Sequence, residues 1–166
     1  MKTTFTLIAI VFFSCIIICC TGRDEKQKRK SQELISARTI GLAYLEENKL
    51  EEAEQEFLKF IKLAPKEKLG YANLGLVYLR MGEYEKAEKA LNRAIKIDPK
   101  DPDVRLIMAT VYEMADNEEK AIFQLKESLK HSPRHIKTLY DLSELYALQS
   151  DTSYLRQREF YLLRII

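Results

Sequence analysis

Residues 71–99 read YANLGLVYLRMGEYEKAEKALNRAIKIDP, and this stretch contains every element of a pattern that recurs along the chain. Tyr78 follows Gly75 by three positions, so a small and an aromatic side chain share one helical face. Ala87 begins a second stretch with helical apolar spacing. Pro99 predicts the end of that stretch, because proline lacks an N–H and clashes with the preceding turn. The segment therefore predicts two packed helices.

The same pattern recurs with a period of 34 residues. Each tyrosine of the series follows a small residue by three positions and a bulky apolar residue by four. The tyrosines are Tyr44, Tyr78, Tyr112 and Tyr146, the small residues are Gly41, Gly75, Ala109 and Ser143, and the bulky ones are Ile40, Leu74, Met108 and Leu142. Three units then continue with Ala53, Ala87 and Ala121, with Phe57, Leu91 and Leu125, and with Pro65, Pro99 and Pro133. Such a repeat predicts a stacked array in which neighbouring units bury each other's apolar faces.

Short turns are predicted between the two helices of each unit, at 47–49, 81–83 and 115–117, where Gly and Asn tolerate a left-handed helix cap. The period and the small, aromatic and proline positions resemble the tetratricopeptide repeat (TPR) over roughly residues 34–166. The resemblance implies an all-α, right-handed solenoid of helix–turn–helix repeats. It also implies that the first helix of each pair lines the concave face.

The predicted array consists of units 34–67, 68–101 and 102–135 and a degenerate unit 136–166. Helices are expected near 34–47 and 51–63, 68–81 and 84–97, 102–115 and 118–131, and 136–149 with a less regular partner at about 152–166. In the last unit, Leu155 and Glu159 stand where alanine and a bulky apolar residue are expected. Terminal units are often atypical, because one face has no neighbouring repeat. The apolar residues of 154–166 also allow a second interpretation, in which this end docks on a second copy or a partner protein.

An uncharged apolar stretch, TFTLIAIVFFSCIIICC at 4–20, precedes the array and contains all three cysteines of the chain. Residues 1–20 are therefore predicted to be a signal peptide or membrane anchor. The stretch resembles the signal of a bacterial lipoprotein, which implies acylation of Cys20, at the end of the apolar run, or of Cys15. The alternative is an uncleaved anchor whose cysteines only fill apolar positions.

A charged linker is predicted at 21–33, where no apolar periodicity is visible. Its segment RDEKQKRK at 23–30 carries five positive and two negative charges directly after the apolar run. Positive charge tends to remain in the cytoplasm, which favours an uncleaved anchor with the repeats on the cytoplasmic face. The lipoprotein interpretation instead places the repeats in the bacterial cell envelope, facing the periplasm or the surface. Both interpretations attach the protein to a membrane.

Composition and motifs point away from catalysis and from nucleic-acid binding. The net charge of +2 is low for a nucleic-acid scaffold, and no glycine-rich phosphate loop is present. His131 and His135 flank Pro133, so they do not lie on one helix as the histidines of a zinc-protease motif do. We therefore expect a protein that is not an enzyme and that has no metal site and no cofactor.

The resemblance implies that a partner binds along the first helices. Carried over position by position, the predicted partner-binding residues are Arg38, Leu42, Leu45, Asn73, Leu76, Leu79, Arg80, Leu106, Thr110, Met114 and Tyr140. Two of them, Arg38 and Arg80, are expected to be isolated cations in a groove whose first half is rather apolar. Some TPR domains clamp the carboxylate tail of heat-shock chaperones. Here only Asn73 matches such a clamp position, whereas Leu42, Leu69, Asp103 and Ile107 replace other clamp residues, so an apolar peptide is the more suitable ligand.

The sequence thus predicts a membrane-anchored scaffold that binds a partner protein or peptide on its concave face, as a TPR lipoprotein of envelope assembly would. One alternative is a structural subunit that self-associates into a homo-oligomer through residues 154–166. The other alternative is a non-catalytic subunit of an envelope complex.

Overall fold

A computed structural model describes residues 25–148, 157, 159–161, 163 and 164. Over 25–148 the chain consists of helices joined by short turns, which confirms the predicted all-α solenoid. The helices are α1 (25–46), α2 (Leu50–Leu63), α3 (Lys68–Arg80), α4 (Tyr84–Ile97), α5 (Pro102–Met114), α6 (Glu118–His131) and α7 (Ile136–Leu148). Consecutive pairs form three helix–turn–helix units, and α7 is the first helix of a fourth.

Helix α1 is the one whose start differs from the sequence prediction. Helices α2 to α7 begin and end within one residue of their predicted bounds, whereas α1 already includes 25–33, which the sequence predicts as a linker. Glu, Lys, Gln and Arg, which dominate this stretch, are strong helix formers, and neither Gly nor Pro interrupts them. Residues 25–33 therefore form an exposed extension of α1.

The first helix of each complete unit ends in the same left-handed turn. Asn48, Gly82 and Asp116 have φ angles of 57°, 75° and 53° and occupy equivalent positions of the repeat. The next amide in each turn donates to the carbonyl of the repeat's tyrosine: Lys49 to Tyr44, Glu83 to Tyr78 and Asn117 to Tyr112, each at 2.8 Å. This is the bonding of a Schellman cap, so the turn satisfies carbonyls that the helix end leaves without partners.

The two helices of a unit cross at the small residue of the first helix. A Cβ on Gly75 would lie 2.6 Å from Leu91 Cγ, and a Cβ on Gly41 would lie 2.9 Å from Phe57 Cε1. Leu91 and Phe57 are fully buried, so the missing Cβ is what lets them approach the backbone of α3 and α1.

The repeated tyrosines join neighbouring units. Tyr78 Oη donates to Glu54 Oε1 at 2.6 Å, and Tyr112 Oη donates to Glu88 Oε1 at 2.9 Å. Both carboxylates lie on the second helix of the preceding unit. A lysine of the tyrosine's own unit also lies over each of these two rings, with Lys86 Nζ 5.4 Å from the Tyr78 centroid and Lys120 Nζ 5.1 Å from the Tyr112 centroid. We call this Glu–Tyr–Lys arrangement the tyrosine ladder.

The ladder changes at the fourth unit. Ile122 stands at the position equivalent to Glu54 and Glu88, and Tyr161 stacks on Tyr146 with ring centroids 5.9 Å apart. Tyr161 of the predicted last helix therefore packs on α7. Two of its side chains, Phe160 and Leu163, are nevertheless 56% and 66% exposed. Leu155, on which the predicted irregularity partly rests, lies outside the described residues.

A continuous apolar core runs through the array. One cluster of buried side chains joins α1 to α4 and a second joins α3 to α7, and Tyr78 packs against both. Each unit thus completes its core only with its neighbours, as expected of a solenoid.

None of the described helices is both long and apolar enough to cross a membrane. The predicted signal or anchor at 1–20, with Cys15 and Cys20, lies outside the described residues.

The close contact at Gly75 predicts a substitution effect that depends on Leu91. Gly75→Ala should lower the free energy of unfolding by about 1 kcal/mol, because overpacking outweighs the gain in helix propensity. In a Leu91→Ala background the same substitution should be neutral or stabilising, because the clashing Cγ and Cδ atoms are absent. Urea unfolding of the four proteins measures this, and an equal cost of Gly75→Ala in both backgrounds would contradict the contact.

The ladder also predicts a loss of stability at alkaline pH. Burial, together with the hydrogen bond to Glu88 and its negative charge, raises the pKa of Tyr112 to about 12. Because the unfolded chain releases this proton near pH 10 and the folded protein retains it, stability falls as pH rises from about 10 to 12. Between pH 8 and pH 11, the free energy of unfolding of Tyr112→Phe should fall by about 1 kcal/mol less than that of wild type. Tyr140→Phe, at an exposed ring, is the control, and identical pH profiles of wild type and Tyr112→Phe would contradict the assignment.

Candidate functional site

The first helices form one continuous side of the array. Helix α3 packs against α5, the first helix of the next unit, as well as against its own partner α4. Among the described helices, no comparable contact joins α2 to α4 or α4 to α6. Helices α3 and α5 therefore approach each other more closely than the second helices do. We call the surface that the first helices present the inner face.

Most of the predicted partner-binding residues are accessible on this inner face. Met114 and Tyr140 are 57% and 53% exposed. The two arginines are also exposed, whereas the remaining accessible positions are half-buried, namely Leu42, Asn73, Leu76, Leu79 and Thr110. The face therefore offers apolar side chains of four successive first helices, interspersed with a few polar groups.

Two predicted binding residues are core residues instead. Leu45 is 4% exposed and packs in the cluster that joins α1 to α4, and Leu106 is 8% exposed in the cluster that joins α3 to α7. Neighbouring first helices touch, so each covers part of the surface that a single helix would leave open. These two side chains therefore have almost no accessible surface in the free protein, and their predicted contact with a partner stays a prediction.

Arg80 is not the isolated cation that the sequence predicts. Its Nη1 donates to the carbonyl oxygen of Leu45 at 2.5 Å, within the last turn of α1. A guanidinium at a helix C-terminus is favourable, because the last carbonyls lack intrahelical partners and carry partial negative charge. Arg80 therefore joins α3 to the end of α1 and is still exposed to solvent.

Arg38 lies in a shallow hollow of about 370 Å³ along α1. The hollow is lined by Ile35, Arg38, Thr39, Leu42, Ala43 and Glu46. Two of the predicted residues, Arg38 and Leu42, are thereby brought together. Thr39, Ala43 and Glu46 were not predicted, although their spacing from Ile35 by four, eight and eleven residues places them on the same helical face.

A second hollow, of about 300 Å³, lies at the other end of the array and is lined by Glu113, Asp116, Glu118 and Leu145. Burial and repulsion from Asp141 raise the pKa of Glu113, and Lys137 opposes the shift. None of these residues was among the predicted partner-binding residues. Glu113 was identifiable from the period, because it is equivalent to Leu45 and Leu79.

The described part of the chain contains no group of three or more His, Cys, Asp or Glu residues that could hold a metal ion. Three side chains form a hydrogen-bonded series of the residue types that catalytic sites use. His135 Nδ1 lies 2.7 Å from Thr138 Oγ1, and Thr138 Oγ1 lies 3.2 Å from Ser128 Oγ. Thr138 and Ser128 are buried, so a substrate has no access to either hydroxyl. These hydrogen bonds connect α6 to the start of α7.

Comparison with known proteins agrees with the geometry of the repeats. Residues 39–67 and 69–101 each match a family model described as tetratricopeptide repeat. Residues 39–101 therefore contain two tetratricopeptide repeats. The two matched segments overlap α1/α2 and α3/α4, the first two units.

Solved structures share this fold at low sequence identity. MamA 41-end from Desulfovibrio magneticus RS-1 has a TM-score of 0.68 and 19% identity, covering 80% of this chain and 75% of that one. The second TPR domain of human RPAP3, in complex with an HSP70 peptide, has a TM-score of 0.63 and 23% identity, covering 70% of this chain and 97% of that one. A Thermobaculum terrenum O-GlcNAc transferase mutant has a TM-score of 0.68 and 19% identity, covering 80% of this chain but only 25% of that one. No curated protein sequence matches the chain.

Proposed function

We propose that this TPR protein is a membrane-anchored scaffold that binds a segment of a partner protein along its inner face. The observation that carries the proposal is the row of accessible apolar side chains on successive first helices. Ile35, Leu69, Met114 and Tyr140 are all exposed, although each lies on a helix that packs into the core on its other side. Exposed apolar side chains on four successive first helices are what a surface that binds an apolar partner requires.

The fold supports recognition of a peptide segment over catalysis. The inner face is built on helices that are fixed by the core, so binding requires little ordering of the protein itself. Neighbouring TPR structures include one in complex with an HSP70 peptide and another in complex with an HSP90 peptide. Those complexes support a peptide as the ligand class here, whereas the residues at the inner positions argue for a different peptide sequence.

Attachment to a membrane is the second part of the proposal. The uncharged stretch at 4–20 and its cysteines support export and acylation of Cys20, or of Cys15, at a bacterial cell envelope. The helical extension at 25–33 would then separate the repeats from the bilayer surface. Such a protein would gather a partner close to the membrane during envelope assembly. The alternative arrangement keeps 4–20 as an uncleaved anchor.

A second candidate function, self-association, is favoured by one observation at the C-terminal end. Phe160 and Leu163 lie three residues apart and both are exposed, next to a tyrosine that packs on α7. A second copy of the chain could cover this surface.

If the partner binds on the inner face, substitution of an exposed leucine there should weaken binding, and substitution of an exposed leucine on a second helix should not. Leu69 lies on the inner face on α3, whereas Leu58 lies on the second helix α2, and both are exposed. Leu69→Glu should reduce partner recovery at least about tenfold in affinity purification from solubilised membranes, because it introduces a charge into an apolar contact. Leu58→Glu should leave recovery unchanged. Equal recovery by both variants, with unchanged melting temperatures, would reject the inner face as the binding surface.

The anchor proposal is tested by mass spectrometry of the mature N-terminus. The expected result is a diacylated cysteine as first residue, Cys20 in preference to Cys15. Cys20→Ser should then abolish the lipid modification while leaving the repeats folded. An intact Met1 would instead establish the uncleaved anchor.

Self-association predicts a dependence of molecular mass on the C-terminal surface. If a second copy covers it, Phe160→Asp with Leu163→Asp should convert an oligomer to a monomer in sedimentation velocity, because both side chains are exposed within one chain. A wild-type monomer at all accessible concentrations would contradict the idea.

A further inference from the structure

The inner face has different charges at its two ends. On α1 and α3 the charged inner residues are Arg38, Glu46 and Arg80, two positive and one negative. On α5 and α7 they are Asp103, Glu113, Lys137, Asp141 and Glu144, four negative and one positive. The first half is therefore nearly neutral and the second half is acidic.

The neutral half is mainly apolar. Leu42, Leu76 and Leu79 are half-buried there, and Leu69 is exposed. Arg80 donates a hydrogen bond to the carbonyl of Leu45, so part of its guanidinium already interacts with the end of α1. This half therefore offers apolar contacts to a ligand and discriminates little between ligands of different charge.

The acidic half keeps a surplus of negative charge after its internal contacts are counted. The single lysine is paired, with Lys137 Nζ 3.2 Å from Asp141 Oδ2. Asp103 lies 3.3 Å from His135 Nε2. Glu113 is half-buried and lies near Asp141. Its burial and the negative charge of Asp141 both disfavour the ionised form, so the pKa of Glu113 is raised. A cation that entered this half would relieve that repulsion.

We infer that the inner face binds a peptide segment whose apolar residues lie against α1 and α3 and whose lysine or arginine residues lie over α5 and α7. The inference rests on the proposed function and specifies its ligand. Complementary charge favours one orientation of the peptide as well as its composition. In the reverse orientation the cationic residues would lie over α1 and α3, away from the carboxylates. Met114 and Tyr140 lie among these carboxylates and offer accessible surface to the aliphatic parts of lysine or arginine side chains.

The dimensions suit a short extended segment. Packed helices lie roughly 8–10 Å apart, so three steps between the four first helices span about 27 Å. An extended chain covers about 3.3 Å per residue, which corresponds to about eight or nine residues. An acidic peptide would be repelled by the second half, and its affinity would rise with salt, whereas a basic peptide's affinity would fall.

The test is selection of a random nine-residue peptide library on the full-length protein held in detergent micelles. Peptides that bind wild type but not Leu69→Glu define ligands of the inner face. These peptides should be enriched in Lys or Arg at one end and in apolar residues at the other. A selected peptide should bind Glu113→Lys with Glu144→Lys about tenfold more weakly, because two attractive contacts become repulsive.

The matched control reverses two exposed carboxylates on second helices, Glu52→Lys with Glu119→Lys, and so gives the same change in net charge. It should retain wild-type affinity. Circular dichroism checks that each variant is folded, and Glu113→Gln with Glu144→Gln replaces the reversal if the reversed protein is not. Inner-face peptides without cationic enrichment, or equal losses in the test and control variants, would overturn the inference while leaving the proposed function standing. Absence of any Leu69-dependent peptide would overturn both.

Discussion

In the first two units the two helices meet where a glycine of the first helix receives a bulky apolar residue of the second. Gly75 against Leu91 shows the contact most directly, since a single added Cβ would lie within 2.6 Å of the leucine. Close approach at this crossing sets how one helix lies on the other. The same geometry repeated every 34 residues produces a stack with a defined inner face. Where the crossing is fixed, the side chains that remain accessible on the first helices are fixed too.

The tyrosine ladder extends this local contact to the neighbouring unit. Tyr78 lies between Glu54 of the preceding unit and Lys86 of its own, and it packs on both clusters of the core. A hydrogen bond to a carboxylate is stronger than one between neutral groups, so the ladder favours one relative placement of units. At the fourth unit Ile122 replaces the glutamate and Tyr161 packs on Tyr146.

Periodicity was sufficient to predict the helices, because spacing on a helix depends only on local geometry. It predicted the left-handed turns for the same reason, although Asp116 takes a position filled elsewhere by Asn and Gly. It did not predict that Leu45 and Leu106 are buried, because their burial depends on how closely neighbouring first helices approach. Nor did it predict that Arg80 bonds to a carbonyl 35 residues earlier. The helix at 25–33 was missed because its residues form helices by propensity, without any apolar face to reveal them.

We expect that a partner lies along the first helices. This expectation is tested most directly by in vivo photo-crosslinking with p-benzoylphenylalanine in place of either Met114 or Phe123. Both side chains are exposed, but Met114 lies on the inner face and Phe123 lies on the second helix α6. We expect a partner adduct from position 114 and none from position 123. An adduct from position 123 alone would place the partner on the opposite side of the array and contradict the account.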